Sequence, residues 1–191
     1  MRLEAEASLE DSTKLKLMVV DNDPDNLTLL YRTFRRDFRV FQADRGRSAL
    51  EILETEGEMA VIIFDDRIKF FGESFTRAVT LFPDTIRIML TGYPDDEYLV
   101  ELVNSGKVFK YIGKPWGADN LKAAVQQAAD TYRVVKRRTN ELRQLLLSER
   151  LLASIPRFLS LGLNIEQVAE ALGLDIEQVR QAANASGSSE R

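Results

Sequence analysis

Five short, mainly apolar segments, separated by segments of helical periodicity, constrain the fold of this chain most strongly. The apolar segments cover residues 15–20, 38–42, 59–64, 85–90 and 108–112. The segments between them carry apolar residues three and four positions apart, as one face of a helix does. Strands that alternate with helices are typical of a parallel sheet with right-handed crossovers. The sequence therefore predicts an α/β domain with centrally buried strands.

Polar residues follow four of these segments. The first is followed by Asp21-Asn22-Asp23, the third by Asp65-Asp66 and the fourth by Thr91, and the fifth leads to Lys114. Because the carboxyl ends of parallel strands share one crevice, we expect these side chains to converge there. Carboxylates, a hydroxyl and an ammonium group in one crevice are typical of a site for Mg²⁺ and a phosphoryl group.

The composition excludes several classes of protein. The chain has 191 residues, a net charge of −4, no cysteine and no histidine. The acidic balance argues against a mainly electrostatic nucleic-acid binder, and without cysteine there is no disulfide or thiolate metal site. Without histidine the chain cannot itself carry a phosphohistidine. No apolar run approaches the roughly 20 residues of a membrane span, so we expect a soluble, cytoplasmic protein with no membrane partner.

Beyond Trp116 the pattern changes to one long helix. Residues 118–153 contain no proline or glycine, and apolar or near-apolar residues recur at alternating steps of four and three. This heptad spacing predicts a coiled-coil seam whose first half packs on the sheet and whose second half projects. The seam positions are Leu121, Val125, Ala128, Tyr132, Val135, Thr139, Leu142 and Leu146.

Short helices are predicted at the C-terminal end. Pro156 is expected to end or kink the long helix, because proline lacks the amide hydrogen that a helix interior uses. Helices then follow at 157–161, 165–172 and 176–183. The last two begin with repeated segments in which Asn164 and Asp175 are candidate N-caps. A glutamate follows each at the second helical position, which is not the capping-box register.

The ordered motif residues resemble the receiver domain of two-component response regulators, the chemotaxis-regulator-like fold. The resemblance covers residues 15 to about 135 and rests on Asp21-Asn22-Asp23, Asp65, Thr91 and Lys114-Pro115. It implies a flavodoxin-like, doubly wound five-stranded parallel sheet of order 2-1-3-4-5. It also implies a signalling protein, not an enzyme that turns over a free substrate.

The resemblance implies a phosphoacceptor and a metal site. Asp65 would accept a phosphoryl group from a partner histidine kinase or phosphotransfer protein. Mg²⁺ would be bound by Asp21, Asn22 and Asp65, with Asp23 as a further candidate ligand.

The resemblance also implies a set of switch residues. Thr91 would contact a phosphoryl oxygen, Lys114 would pair with it, and Tyr111 matches the rotating aromatic residue. We expect the Lys114–Pro115 peptide bond to be cis.

The expected organisation has five parts. Residues 1–13 are predicted to be a flexible leader and 14–135 the receiver domain. Residues 136–155 are predicted to be a projecting coiled-coil helix, 156–185 a small helical module and 186–191 a disordered tail.

Departures from the family pattern leave a second reading open. Asn22 stands where the family usually has another aspartate, so the metal site loses one negative charge and should bind Mg²⁺ more weakly. The segment after Asp65 lacks the usual Met-Pro turn, and Phe70 and Phe71 either face a docked partner or fold into the core. The alternative is a pseudo-receiver that acts without phosphorylation.

Two rival classes are less well supported by the sequence. A haloacid-dehalogenase-like phosphatase would fit Asp21-Asn22-Asp23, Thr91 and Lys114, but its second acidic pair follows the lysine, whereas Asp65-Asp66 precedes Thr91. A helix-turn-helix regulator would read DNA with the last helix. That helix begins with two acids and one arginine across residues 175–180, a poor composition for base or phosphate contacts.

The second half of the long helix requires a partner for its leucines. A homodimer through the helix from Leu121 to Leu146 would bury them, with Arg137, Arg138, Glu141 and Arg143 as partner-selecting charges. Folding of residues 157–183 back onto the leucines is the alternative, since Pro156 gives the chain a place to turn.

Overall fold

Five parallel strands form one sheet. In the computed structural model, which describes residues 13–67, 73–93 and 97–187, the strands are β1 Lys16–Val20, β2 Arg39–Ala43, β3 Val61–Asp65, β4 Ile86–Thr91 and β5 Lys110–Gly113. They pair in the order β2-β1-β3-β4-β5, and every neighbouring pair is parallel. The predicted doubly wound fold is confirmed, and each strand begins one or two residues later than expected.

Helices cover both faces of this sheet. The described helices are α1 Pro24–Phe34, α2 Gly46–Glu56, α3 Glu73–Leu81, α4 Glu97–Asn104, α5 Ala118–Ser160, α6 Ile165–Leu172 and α7 Ile176–Gly187. Side chains of α1 and of the first half of α5 pack on one face. Those of α2, α3 and α4 pack on the other.

The central strand β3 is buried along its whole length. Val61 and Ile63 face the side covered by α1 and α5, whereas Ile62 and Phe64 face the opposite side, since successive strand residues point to opposite faces. Burial on both faces explains why four consecutive residues are apolar. Each contributes about 1.5–3 kcal/mol by its burial. The strand then ends in the buried carboxylate of Asp65.

Helix α1 begins where the sequence predicts. The Asp23 carboxylate accepts a hydrogen bond of 2.9 Å from the Asp25 amide, and Pro24 occupies the first helical position. A proline is favourable there because its missing amide hydrogen would have no intrahelical partner. The N-cap therefore places the acidic segment after β1 at the carboxyl edge of the sheet.

The chain divides into two compact units between Lys136 and Arg137, inside α5. In the first unit, α5 buries Leu121, Val125 and Ala128 against the sheet. The second unit has its own small core, formed by Ile155, Val168, Ala169 and Val179.

Of the two outcomes predicted for Pro156, an end or a kink of the long helix, the first is wrong. Helix α5 continues through Pro156 to Ser160, so the separate helix predicted at 157–161 is its last part. Proline in a helix interior costs roughly 3 kcal/mol. Burial of Ile155, with Phe158 and Leu159 packed beside it, offsets this cost.

The capping of α6 also differs from the prediction. The Asn164 side chain accepts a hydrogen bond of 2.8 Å from the Gln167 amide, and the Gln167 side chain accepts one of 3.0 Å from the Asn164 amide. This is a complete capping box. Glu166 stands at the second helical position, whereas Gln167, one residue later, occupies the third position that a capping box requires.

The second half of α5 presents exposed leucines. Leu142, Leu145, Leu146 and Leu147 are 60%, 59%, 56% and 52% exposed. Helices α6 and α7 pack on residues 152–159 of α5 and leave these four side chains uncovered. The structure therefore does not show the alternative to the dimer, in which the C-terminal helices fold back onto these leucines.

Some predictions lie outside the described residues. They concern the leader up to residue 12, the loop with Phe70 and Phe71, and the last four residues. Among the described residues, no helix is both long enough and apolar enough to cross a membrane.

Candidate functional site

The predicted site residues lie along the carboxyl edge of the sheet. Asp21 directly follows β1, Asp65 and Thr91 end β3 and β4, and Lys114 directly follows β5. The structure brings Asp21, Asp65 and Lys114 into one charged group. Thr91 contacts Asp66, which was expected at this edge of the sheet but for which no role was predicted.

Asp65 is the centre of the charged group. Its side chain is fully buried, and the Lys114 ammonium donates a short hydrogen bond to Oδ2. The Arg67 amide donates to Oδ1 at 2.8 Å, and the Arg67 guanidinium lies 3.6 Å from Oδ2. Burial raises the pKa of Asp65, but the hydrogen bonds from Lys114 and Arg67 outweigh it and hold the pKa below its ordinary value. Asp65 is therefore an ionised carboxylate at neutral pH.

Asp21 is a second buried carboxylate beside the first. Its Oδ1 accepts a hydrogen bond of 2.9 Å from the Asp23 amide, and its Oδ2 accepts one of 3.0 Å from Asn26. The Lys114 Nζ lies 3.8 Å from Oδ2. Burial raises the pKa of Asp21, against the lowering effects of the Asp23 amide and Lys114, and the nearby charge of Asp65 raises it further. A cation bound between Asp21 and Asp65 would offset the repulsion between these two carboxylates.

The residues next to Asp21 are placed less favourably for a metal ion. Asn22 and Asp23 are both exposed, and the Asp23 carboxylate is engaged as the N-cap of α1. Within the part of the chain that the structure describes, no three acidic, histidine or cysteine side chains form a metal-binding group. Two carboxylates nevertheless fit Mg²⁺, which commonly takes one or two protein carboxylates and several waters.

Thr91 and Asp66 form a separate pair. The Thr91 hydroxyl donates a hydrogen bond of 2.5 Å to Asp66 Oδ2, and the Gly92 amide donates to the same oxygen at 3.2 Å. The Tyr93 amide donates to the Thr91 hydroxyl at 3.0 Å. Thr91 was expected to face Asp65, whereas its hydrogen bond goes to the adjacent Asp66.

Trp116 and Asn26 are two further contacts that the sequence reasoning missed. The Lys114 ammonium lies 5.6 Å from the centre of the Trp116 ring, close enough for a cation–π interaction. These residues, with Leu29 and Pro115, line an open cleft of about 470 Å³. The Lys114–Pro115 bond is cis, as expected, and Tyr111 is partly buried against the cluster under α2, α3 and α4.

Comparison with known sequences identifies relatives of the α/β domain. The response regulator receiver domain family matches residues 17–126. The hydrogenase transcriptional regulatory protein HoxA of Bradyrhizobium diazoefficiens is 31% identical over 121 residues, which cover 63% of this chain and 25% of that protein. HoxA of Cupriavidus necator is 32% identical over 116 residues, which cover 60% and 24%. The chain thus spans about a quarter of the length of these curated relatives.

Comparison with solved structures gives the same fold. A structure described as adenylate cyclase from Rhodopirellula baltica superimposes with a TM-score of 0.63 at 29% identity, over 68% of this chain and 98% of that one. A CheY-like receiver domain from Methanospirillum hungatei has a TM-score of 0.57 at 23% identity, over 63% and 98%. The family match covers more than half of the chain and the strand order agrees with it, so the chain belongs to the response regulator receiver domain family.

Proposed function

We propose that this chain is a response regulator whose Asp65 accepts a phosphoryl group from the phosphohistidine of a partner kinase or phosphotransfer protein. The observation that carries the proposal is the buried, ionised Asp65 carboxylate in contact with the Lys114 ammonium. Receiver domains act in signalling and generally not as enzymes. The 191 residues contain no histidine, so they do not supply the phosphohistidine themselves.

The chemistry is a transfer between two nucleophiles. A carboxylate oxygen of Asp65 attacks phosphorus, the P–N bond breaks, and its electron pair stays with the imidazole of the partner. Lys114 offsets the negative charge on the transferring oxygens. The Arg67 amide fixes the carboxylate by its hydrogen bond to Oδ1. The product is an acyl phosphate on Asp65.

Asp21 and Asp65, with Asn22 as a third ligand, are the residues that would hold Mg²⁺. The ion supplies a second positive charge against the phosphoryl oxygens. Two buried carboxylates that share Lys114 support this assignment, because carboxylate oxygens are the protein ligands that Mg²⁺ commonly takes. Asp23 is a weaker candidate because its carboxylate caps α1.

Labelling of the full chain tests the proposal directly. With acetyl phosphate and Mg²⁺, intact-mass spectrometry should detect the addition of one phosphoryl group, and the addition should disappear when EDTA replaces Mg²⁺. An unmodified chain under these conditions, with a known receiver domain labelled in parallel, would contradict phosphorylation.

A charge change at Asn22 tests the metal site. Asn22→Asp restores a carboxylate and should tighten Mg²⁺ binding roughly tenfold or more, because the cation gains one opposite charge at ligand distance. The fluorescence of Trp116, the only tryptophan in the sequence, reports on the neighbouring Lys114. Asn140→Asp, which adds the same charge on exposed α5, is the matched control. Equal Mg²⁺ affinities for the two variants would place Asn22 outside the coordination sphere.

We propose that the output passes through the second half of α5 and the C-terminal unit, by dimerisation or by binding another protein. The support is the exposed leucine row of α5. HoxA proteins are transcriptional regulators, but the family match ends at residue 126, before α6 and α7. Arg180 on α7 pairs with Glu177 at 3.0 Å, so we do not extend a DNA-reading role to this helix.

A pseudo-receiver is the second candidate function. Two observations favour it: Asn22 lacks a charge, and Thr91 is already occupied by Asp66. The labelling experiment separates the two functions, because a pseudo-receiver takes up no phosphoryl group.

A further inference from the structure

Asp66 accepts hydrogen bonds from two donors at the end of β4. One oxygen, Oδ2, receives both the Thr91 hydroxyl at 2.5 Å and the Gly92 amide at 3.2 Å. Hydrogen bonds to an ionised acceptor are stronger than those between neutral groups. Both donors therefore depend on a single carboxylate oxygen of Asp66.

The consecutive residues Asp65 and Asp66 direct their carboxylates to different partners. Asp65 and Asp66 are consecutive, and the Asp66 amide donates to the Leu90 carbonyl at 2.9 Å, which continues the pairing of β3 with β4. The Asp65 carboxylate contacts Lys114, and the Asp66 carboxylate contacts Thr91. The backbone thus places one carboxylate at the acceptor position and the next at the hydroxyl.

The two uses of Thr91 exclude each other. A hydroxyl has one hydrogen to donate, so Thr91 cannot donate to Asp66 and to a phosphoryl oxygen at the same time. The Asp66 charge also repels a phosphoryl group on the neighbouring residue. Phosphorylation of Asp65 with Thr91 engaged therefore requires that the hydrogen bond between Thr91 and Asp66 break.

Among the described residues, only one of the two Asp66 carboxylate oxygens has a hydrogen-bond partner. Asp66 Oδ1 is buried and has no hydrogen-bond partner among the residues that the structure describes. A buried oxygen without a donor is destabilising. The unsatisfied oxygen lowers the cost of displacing this carboxylate, which makes the contact reversible.

We propose that Asp66 is a positioning residue that holds Thr91 away from the phosphoryl site and so sets the threshold for phosphorylation. This inference rests on the proposed phosphoacceptor function. Removing the Asp66 charge should tighten the binding of a phosphoryl-like anion, and it should also prolong the lifetime of the acyl phosphate.

Beryllofluoride, a tetrahedral analogue of the phosphoryl group, tests this with the full chain in saturating Mg²⁺. Trp116 fluorescence measures its affinity for the unaltered protein, Asp66→Asn and Asp66→Ala. Loss of one charge-assisted hydrogen bond should give at least about tenfold tighter binding. Asp44→Asn removes a charge at the same edge of the sheet, beside Ser48, and should leave the affinity within about twofold. A gain in affinity cannot arise from a misfolded variant.

A second set of variants, made in Thr91→Ala protein, distinguishes the positioning of Thr91 from a general effect of the Asp66 charge. In Thr91→Ala protein the hydroxyl is absent, so the increase in beryllofluoride affinity caused by Asp66→Asn should fall to about twofold or less. A gain that persists in this background would overturn the positioning role.

The outcomes distinguish this inference from the proposed function. If the unaltered protein binds beryllofluoride and Asp66→Asn binds it no better, the phosphoacceptor function stands and the inference is wrong. If only the Asp66 variants bind it, the inference holds and the natural chain is a pseudo-receiver. If no variant binds it, both proposals fail, since Asp66 is then not what opposes the anion.

Discussion

Replacement of Asp65 by alanine should abolish donor-dependent phosphorylation, whereas replacement of Asp66 by alanine should retain it. Asp65→Ala removes the oxygen that attacks phosphorus, so labelling with acetyl phosphate and Mg²⁺ should fall below detection. Asp66→Ala leaves Asp65, Lys114 and the Arg67 amide contact in place. Intact-mass spectrometry with peptide mapping checks both variants, and hydroxylamine should release the label because an acyl phosphate is the product.

The two substitutions are matched because they delete neighbouring carboxylates at the same edge of the sheet. Asp65→Ala leaves Lys114 with the Asp21 carboxylate 3.8 Å away, so the partly buried ammonium keeps an opposite charge and the variant should fold. Thermal unfolding of each variant controls for stability. Labelling that disappears in Asp66→Ala but survives in Asp65→Ala would show that the acceptor has been assigned to the wrong aspartate.

The sheet and its polar edge were predictable because both depend on local patterns. A strand buried on both faces must be apolar at every position, as β3 is from Val61 to Phe64. In a parallel sheet the polar residues that end such strands must meet at one edge. Asp21, Asp65 and Lys114 lie together for this reason.

The partner of Thr91 was not predictable in the same way. Sequence spacing indicates that Thr91 lies near the end of β3, but both Asp65 and Asp66 are there. The choice between them depends on the direction of each side chain at the point where β3 ends. The backbone hydrogen bond from Asp66 to Leu90 fixes that direction, and the sequence contains no signal for it.

The end of α5 shows tertiary packing overriding local preference. Proline normally ends a helix, but the residues around Pro156 include Ile155 and Phe158, which contribute to the core with α6 and α7. The sequence showed both the proline and the apolar residues, but not which effect was larger. By contrast, the capping box of α6 was predictable from the sequence, because Asn164 and Gln167 stand at the N-cap and third helical positions.

The last prediction concerns the exposed leucines of α5, which we propose form a homodimer seam. Leu142 and Leu146 continue the heptad positions that are buried against the sheet at Leu121 and Val125. Both are more than half exposed. A second copy can bury this exposed apolar surface, which would stabilise the dimer by about 1 kcal/mol for each side chain. Two leucines from each copy then contribute about 4 kcal/mol to association.

Charge beside the seam opposes this association and makes the dimer testable. In a parallel, in-register pair the heptad places Arg138 of one copy near Arg143 of the other, where facing charges select partners. Two like-charge contacts should weaken the dimer at low salt, so association should increase as salt screens them. Arg138→Glu should strengthen the dimer and reverse this salt dependence.

Light scattering and sedimentation of the full chain measure these effects. Leu142→Asp with Leu146→Asp should raise the dissociation constant about a thousandfold and give a monomer. Leu29→Asp, a comparably exposed leucine on α1, is the matched control and should leave the dimer intact. These variants test the leucines more specifically than a truncation at residue 155, because the truncation would remove α6 and α7 and expose Ile155. A full chain that stays monomeric at every salt concentration would contradict the homodimer. Binding of another protein would then be the remaining proposal, and the four basic residues at 136, 138, 143 and 150 favour an acidic helix as that partner.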